Sequence, residues 1–121
     1  MKILAVSDRV LDKLYSGQAR HMFSDVELII GCGDLPFYYL DFLTSAIDAP
    51  LVYVRGNHDG GPQYAADGRI WSEVRGGVDI HSKVVARRGL ILAGLQGSMR
   101  YKAHGEYMYS ESEMRVVAAQ M

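Results

Sequence analysis

The chain has 121 residues, 49% hydrophobic and 22% charged, with 13 basic against 14 acidic side chains and a net charge of −1. That is one domain's worth of ordinary globular composition, enough for a core without disulfide or metal staples, and it lacks the basic excess of a nucleic-acid-binding surface. A single cysteine, Cys32, excludes an intrachain disulfide; with no signal-peptide pattern at the start and no apolar run of membrane-spanning length, a soluble cytoplasmic protein is expected.

Taken in chain order, the apolar pattern predicts a strand over about 2–7, a helix over about 11–22, a strand over about 26–30, a helix over about 36–47 and a strand over about 51–54. The three strands are near-continuous Val/Ile/Leu/Tyr runs, which suits strands buried on both faces. Pro36 marks the start of the second helix. Strand–helix–strand order repeated makes a right-handed parallel βαβαβ unit the expectation. Residues 55–77 form a long glycine-rich loop, with Trp71 expected to pin it. Val78-Asp79-Ile80-His81, Lys83-Val84-Val85-Ala86 and Leu90–Gly94, with a turn at Arg88-Gly89, read as an antiparallel extension. A second loop rich in glycine and tyrosine covers 95–109. Ser110-Glu111-Ser112-Glu113 is a capping box that opens a last helix running to the end. The whole of 1–121 reads as one domain.

Three of the predicted strands end on polar groups. Lys2–Val6 runs into Ser7-Asp8, Val26–Ile30 into Gly31-Cys32-Gly33-Asp34, and Leu51–Val54 into Arg55-Gly56-Asn57-His58-Asp59. In a parallel α/β sheet the strand ends lie side by side and ligands bind in the crevice outside them, so Asp8, Asp34, Asn57 and His58 are expected to converge. Two carboxylates and an amide oxygen favour Mn²⁺, Mg²⁺, Fe or Zn over a thiolate-loving metal. Two such ions about 3.5–4 Å apart can hold a phosphate oxygen and activate water. Asp34 is the natural bridge, Asp8 and Asn57 the flanking ligands, and His58 the general acid toward a leaving group.

Plainer roles stand beside each of these. Asp8 and Asp34 could cap a turn or the following helix. Gly56-Asn57 could serve only a tight turn. Asp59 could orient His58 as part of the catalytic set or cap that turn. Cys32 fits a small buried residue better than a ligand, and His81 and His104 are more often bystanders than ligands. Arg100 is a candidate for substrate phosphate beside Asn57 and His58, with a structural role as its alternative, and the tyrosines of 101–109 fit packing better than base stacking.

These ordered motifs resemble those of the calcineurin-like metallophosphoesterases: an Asp after the first strand, Gly-x-Gly-Asp after the second and Gly-Asn-His-Asp after the third. Gly94-Leu95-Gln96-Gly97-Ser98 and Arg100-Tyr101 resemble the glycine-rich strand and loop of a small bacterial branch. The resemblance implies a hydrolase that cleaves a phosphomonoester or phosphodiester through two divalent metals. Asp8 and Asp34 would bind one metal and Asp34 and Asn57 the other, with His58 meeting the phosphoryl group. Two parts of the family pattern are absent: Arg9-Val10 stands where Asp-x-His is usual, and no Gly-His-x-His occurs in the 121 residues. The fold implied is therefore one half of a metallophosphoesterase-type sandwich, with self-association or a missing C-terminal half to cover it. Of the other classes, a non-catalytic metal- or phosphate-binding module shares the fold. A signalling receiver domain needs an acidic pair where Ser7-Asp8 supplies one acid, and leaves Gly-Asn-His-Asp unexplained.

Overall fold

The computed structural model describes all residues from Met1 to Met121. In chain order the elements are β1 (Lys2–Val6), α1 (Ala19–Met22), β2 (Val26–Gly31), α2 (Phe37–Ile47), β3 (Leu51–Tyr53), β4 (Gln63–Tyr64), β5 (Ile70–Trp71), β6 (Gly77–Asp79), β7 (Lys83–Arg87), β8 (Leu90–Gly94), β9 (Ser98–Met99), β10 (Met108–Tyr109) and α3 (Glu111–Ala119). The main sheet has four parallel strands in the order β1-β2-β3-β6. Three two-stranded pairs, β4–β5, β7–β8 and β9–β10, sit around it. The class is mixed α/β, and no helix is long and apolar enough to cross a membrane.

The core follows from strand alternation. Ile29, Leu51 and Tyr53 point to one face, where Tyr39, Leu40, Leu43 and Ile47 of α2 meet them with Leu14 and Phe37. Gly31 belongs to that face too: a Cβ there would lie 3.0 Å from Tyr53 Cβ and 3.2 Å from a Leu40 methyl, so the helix rides close over β2. Leu28 and Val52 point the opposite way and are also fully buried. The β7–β8 hairpin closes that side. Gly94 packs on Ile80 and Val54, and the Arg88 guanidinium donates to the Glu27 carbonyl at 3.2 Å. The hairpin turns on Arg88 and Gly89, both at positive φ, the geometry that matches strand twist in a tight hairpin. Its outer face stays bare, with Val84 58% and Ile91 81% exposed.

Two expectations give way. The helix expected over 11–22 is regular only at Ala19–Met22. Before it the chain makes a turn closed by Leu14 and Tyr15 N–H on the Leu11 carbonyl. The Ser16 hydroxyl donates to the Lys13 carbonyl and accepts from Gln18 N–H, so a short polar side chain next to Gly17 takes over bonds that a continuous helix would make. The second difference is β6. Residues 78–81 were expected in the antiparallel extension, yet Gly77–Asp79 pairs parallel with β3 as the fourth strand of the main sheet. The antiparallel part is confined to Lys83–Arg87 with Leu90–Gly94.

Segment 55–77 has structure of its own in the β4–β5 pair. Trp71 packs against the core cluster with the Arg75 guanidinium 4.9 Å above its ring. At the C-terminal end the capping box is complete: Ser110 Oγ accepts from Glu113 N–H at 3.1 Å and Glu113 Oε1 accepts from Ser110 N–H at 2.9 Å. Ser110→Ala is expected to cost about 1 kcal/mol, read as a fall in the urea midpoint with no change in the folded-state circular dichroism.

Candidate functional site

The C-terminal ends of β1, β2 and β3 continue beyond the regular ladder as three linked loops. Cys32 N–H donates to the Val6 carbonyl at 2.8 Å, Asp8 N–H to the Gly33 carbonyl at 3.2 Å, and Val54 N–H to the Gly31 carbonyl at 3.0 Å. The backbone then bends sharply. Asp8 (φ 68°) and Asp34 (φ 59°) both lie in the left-handed region, where aspartate is among the few side chains that settle. Gly33 has φ 99°, and a Cβ there would lie 2.8 Å from the Gly56 nitrogen. A Cβ on Gly56 would fall on the Asp34 carboxylate. The glycines of Gly-x-Gly-Asp and Gly-Asn-His-Asp are thus where two loops touch backbone to backbone.

That contact is fastened from both sides. Asp34 Oδ1 accepts from His58 N–H at 3.0 Å. Asp59 Oδ2 accepts from both Asp34 N–H and Gly56 N–H, each at 2.8 Å. Asp59 is buried at 9% exposure, and burial pushes its carboxyl above the ordinary aspartate value even though the two amides and Arg55 pull it down. Between the two roles open to Asp59, the structure shows the turn-fastening one: its hydrogen bonds go to loop backbone rather than to the His58 ring. It shapes the site by holding the two loops together.

Asp34, His58 and Asp59 line a cleft of about 350 Å³ with Leu35, Pro36 and Gln63. Gln63 also caps α2, its side-chain oxygen accepting from Phe37 N–H at 2.8 Å. The His58 ring is exposed. The Asn57 side-chain nitrogen donates to the Tyr101 hydroxyl at 3.0 Å and lies 3.5 Å from His58 Nε2. So the structure brings Asp34, Asn57 and His58 together, as their strand-end positions predict.

Asp8 joins the others through its backbone, and the residue also lines a cavity of about 630 Å³ along β1, walled by Leu4, Val6, Leu14 and Phe23. Arg100 is not at the cleft. Its guanidinium donates to the Met108 carbonyl and to Glu113 Oε1 at 3.2 and 3.1 Å, tying β10 to α3, so the structural alternative is the one observed. Cys32 is exposed rather than buried; partial burial and the Asp8 charge raise its thiol above the usual value. His81 is engaged elsewhere, its Nδ1 accepting from Gln96 N–H at 3.0 Å. His104 is exposed on the loop before β10.

For a divalent cation the donor set divides. No group of three or more His, Cys, Asp or Glu side chains is close enough to hold a metal. At the corner formed by Asp34 and Asn57, two oxygens take no protein donor. Asp34 keeps Oδ2 free of protein donors, and the Asn57 nitrogen is already taken, leaving its carbonyl oxygen as the open end.

Two residues of this corner escape sequence reasoning. Tyr101 reaches Asn57 across the chain, and a tyrosine among three in a loop carries no local signal. Arg55 precedes the Gly-Asn-His-Asp turn and acts as its brace. Its guanidinium donates to the Ser72 carbonyl at 2.5 Å and the Tyr107 hydroxyl at 3.3 Å, and pairs with Asp79 at 3.5 Å. Its carbonyl accepts from Gly97 N–H at 2.7 Å, and it lies 5.3 Å above the Phe37 ring. No protein-family model, no curated protein and no solved structure matches the chain, so the likeness to metallophosphoesterases rests on its sequence motifs alone.

Proposed function

We propose that this chain is a metallophosphoesterase-type domain whose Asp34–Asn57–His58 corner receives a phosphate ester together with a divalent cation, Mn²⁺ being the best candidate and Fe, Zn or Mg the others. The observation that supports it most is the fastening of the second and third strand-end loops, His58 N–H on Asp34 and Asp59 across Asp34 and Gly56, which holds a carboxylate, an amide and an imidazole at one sheet edge. When bound there, the cation supplies Lewis-acid polarisation of a phosphoryl oxygen. The protein's part is to hold Asp34 and Asn57 fixed and to present the exposed His58 ring as proton donor to the leaving oxygen. On this reading the fold is one layer and part of a second in a phosphoesterase sandwich. The remainder of that second layer would cover Val84 and Ile91 of the hairpin. The single cysteine is compatible with a reducing, cytoplasmic setting.

A specific observation favours a second reading, a non-catalytic metal- or phosphate-binding module. No group of three or more His, Cys, Asp or Glu side chains is gathered there, which suits binding better than turnover. One experiment separates these outcomes. Mn²⁺ titration of the 121-residue chain is expected to show a single weak equivalent that Asp34→Ala removes, with slow hydrolysis of an aryl phosphate. Binding without any hydrolysis selects the non-catalytic module. Binding that Asp34→Ala leaves untouched, or none at all, removes the site from Asp34 altogether.

A further inference from the structure

We propose that Tyr101 is a positioning residue for Asn57, holding the carboxamide so that its oxygen, and not its nitrogen, is the end offered to a cation. The proposal rests on the reading of Asp34 and Asn57 as a cation-binding corner. A carboxamide carries donors at one end and an acceptor at the other, and only the oxygen can ligate a hard divalent ion. Here the Asn57 nitrogen is the end engaged, 3.0 Å from the Tyr101 hydroxyl and 3.5 Å from His58 Nε2. A hydroxyl can donate as well as accept, so Tyr101 fixes the plane and reach of the amide. In the His58 tautomer that leaves Nε2 unprotonated, that nitrogen accepts from the same end of the amide, and rotating the amide by half a turn would set its oxygen against an acceptor.

The arm that carries Tyr101 is itself held. Gly97 N–H bonds the Arg55 carbonyl, the Arg55 guanidinium bonds the Tyr107 hydroxyl, and the Glu106 side chain lies directly against Gly60. The β9–β10 arm is therefore fastened to the Gly-Asn-His-Asp loop at its start, its end and its tip. Tyr101 remains 63% exposed, so its hydroxyl can be removed without opening the core. Residues that orient a metal ligand in this way typically contribute about 10–100-fold in metal affinity.

The test compares wild type, Tyr101→Phe and Asp34→Ala as full 121-residue chains. Mn²⁺ binding is followed by electron paramagnetic resonance of the free ion, and the Asn57 side-chain amide by NMR without metal. Expected is a loss of about 10-fold or more in Mn²⁺ affinity in Tyr101→Phe. The Asn57 amide resonances should shift while the urea midpoint stays in place. Wild-type affinity in Tyr101→Phe, alongside loss of binding in Asp34→Ala, would overturn the role of Tyr101 and leave the Asp34–Asn57 corner standing. A weaker Tyr101→Phe with an unmoved Asn57 amide and a lowered urea midpoint would also overturn it, showing a general structural effect. A wild type that binds no Mn²⁺, or an Asp34→Ala that binds as wild type does, would sink the corner itself and this proposal with it.

Discussion

Gly33→Ala is expected to be the most damaging small substitution in the chain, costing about 3 kcal/mol or more and leaving little folded protein at 37 °C. Two penalties combine. The residue sits at φ 99°, where an L side chain is strained, and the new Cβ would lie 2.8 Å from the Gly56 nitrogen and 2.9 Å from its Cα. Both opposing atoms are backbone, so neither can swing aside, and the strain alone is of order 1–3 kcal/mol. Domains of this size have only about 5–15 kcal/mol to lose. Gly17→Ala is the control, because a Cβ there meets nothing within 4 Å. Equal urea midpoints for the two variants would show that the loop contact at Gly33 is not what holds the strand ends together.

Asp59→Ala should follow closely. Its carboxylate is the shared acceptor for Asp34 and Gly56 amides, and leaving both without a partner costs about 1–3 kcal/mol each where water cannot replace it. A total of about 2–6 kcal/mol is expected, seen as a lowered urea midpoint and faster exchange of those two amides. The charge also carries a pH signature. Burial raises the Asp59 carboxyl above its ordinary 3.8, so the folded state holds the proton to higher pH than the unfolded chain does. The stability it contributes is complete below the unfolded value and is lost as pH rises through the folded one. Relative to Asp59→Asn, which does not titrate, wild type should therefore lose ground as pH rises from about 3.8 through the folded value. A wild type that gained on the asparagine variant over that window would mean that the two amides outweigh burial.

Much of this geometry was legible in the chain, for reasons that differ element by element. Strands β1, β2 and β3 are apolar runs that stop abruptly at Ser7, Gly31 and Arg55, and helix α2 has apolar residues at helical spacing after Pro36. The capping box at Ser110–Glu113 and the turn at Arg88-Gly89 are local devices, fixed by neighbouring residues. Strand β6 was less legible, because Val78-Asp79-Ile80-His81 alternates as a surface strand does. Its parallel partner is chosen by chain far away, where Gly77 clears Leu51 and Tyr53. Helix α1 shows the reverse case, an apolar rhythm overruled by the Ser16 hydroxyl. At the site the strand ends were readable, while the side-chain directions were not. Nothing local in Arg100-Tyr101 says that the tyrosine goes to Asn57 and the arginine to Glu113.

The order β1-β2-β3-β6 has a consequence for how the chain reaches this state during synthesis. Each parallel strand lies beside the parallel strand that immediately precedes it in the sequence: Val26 with Lys2, Leu51 with Ile29, Gly77 with Leu51. The sheet can therefore grow in one direction as the polypeptide leaves the ribosome, every loop closure being of similar modest length. No strand has to wait for a later one to be inserted between itself and its neighbour. The Gly33–Gly56 contact closes as soon as β3 has docked, before β6 or the β9–β10 arm has been made. The corner holding Asp34 and Asn57 is thus shaped early, and Tyr101 arrives last, on a site whose backbone is already in place.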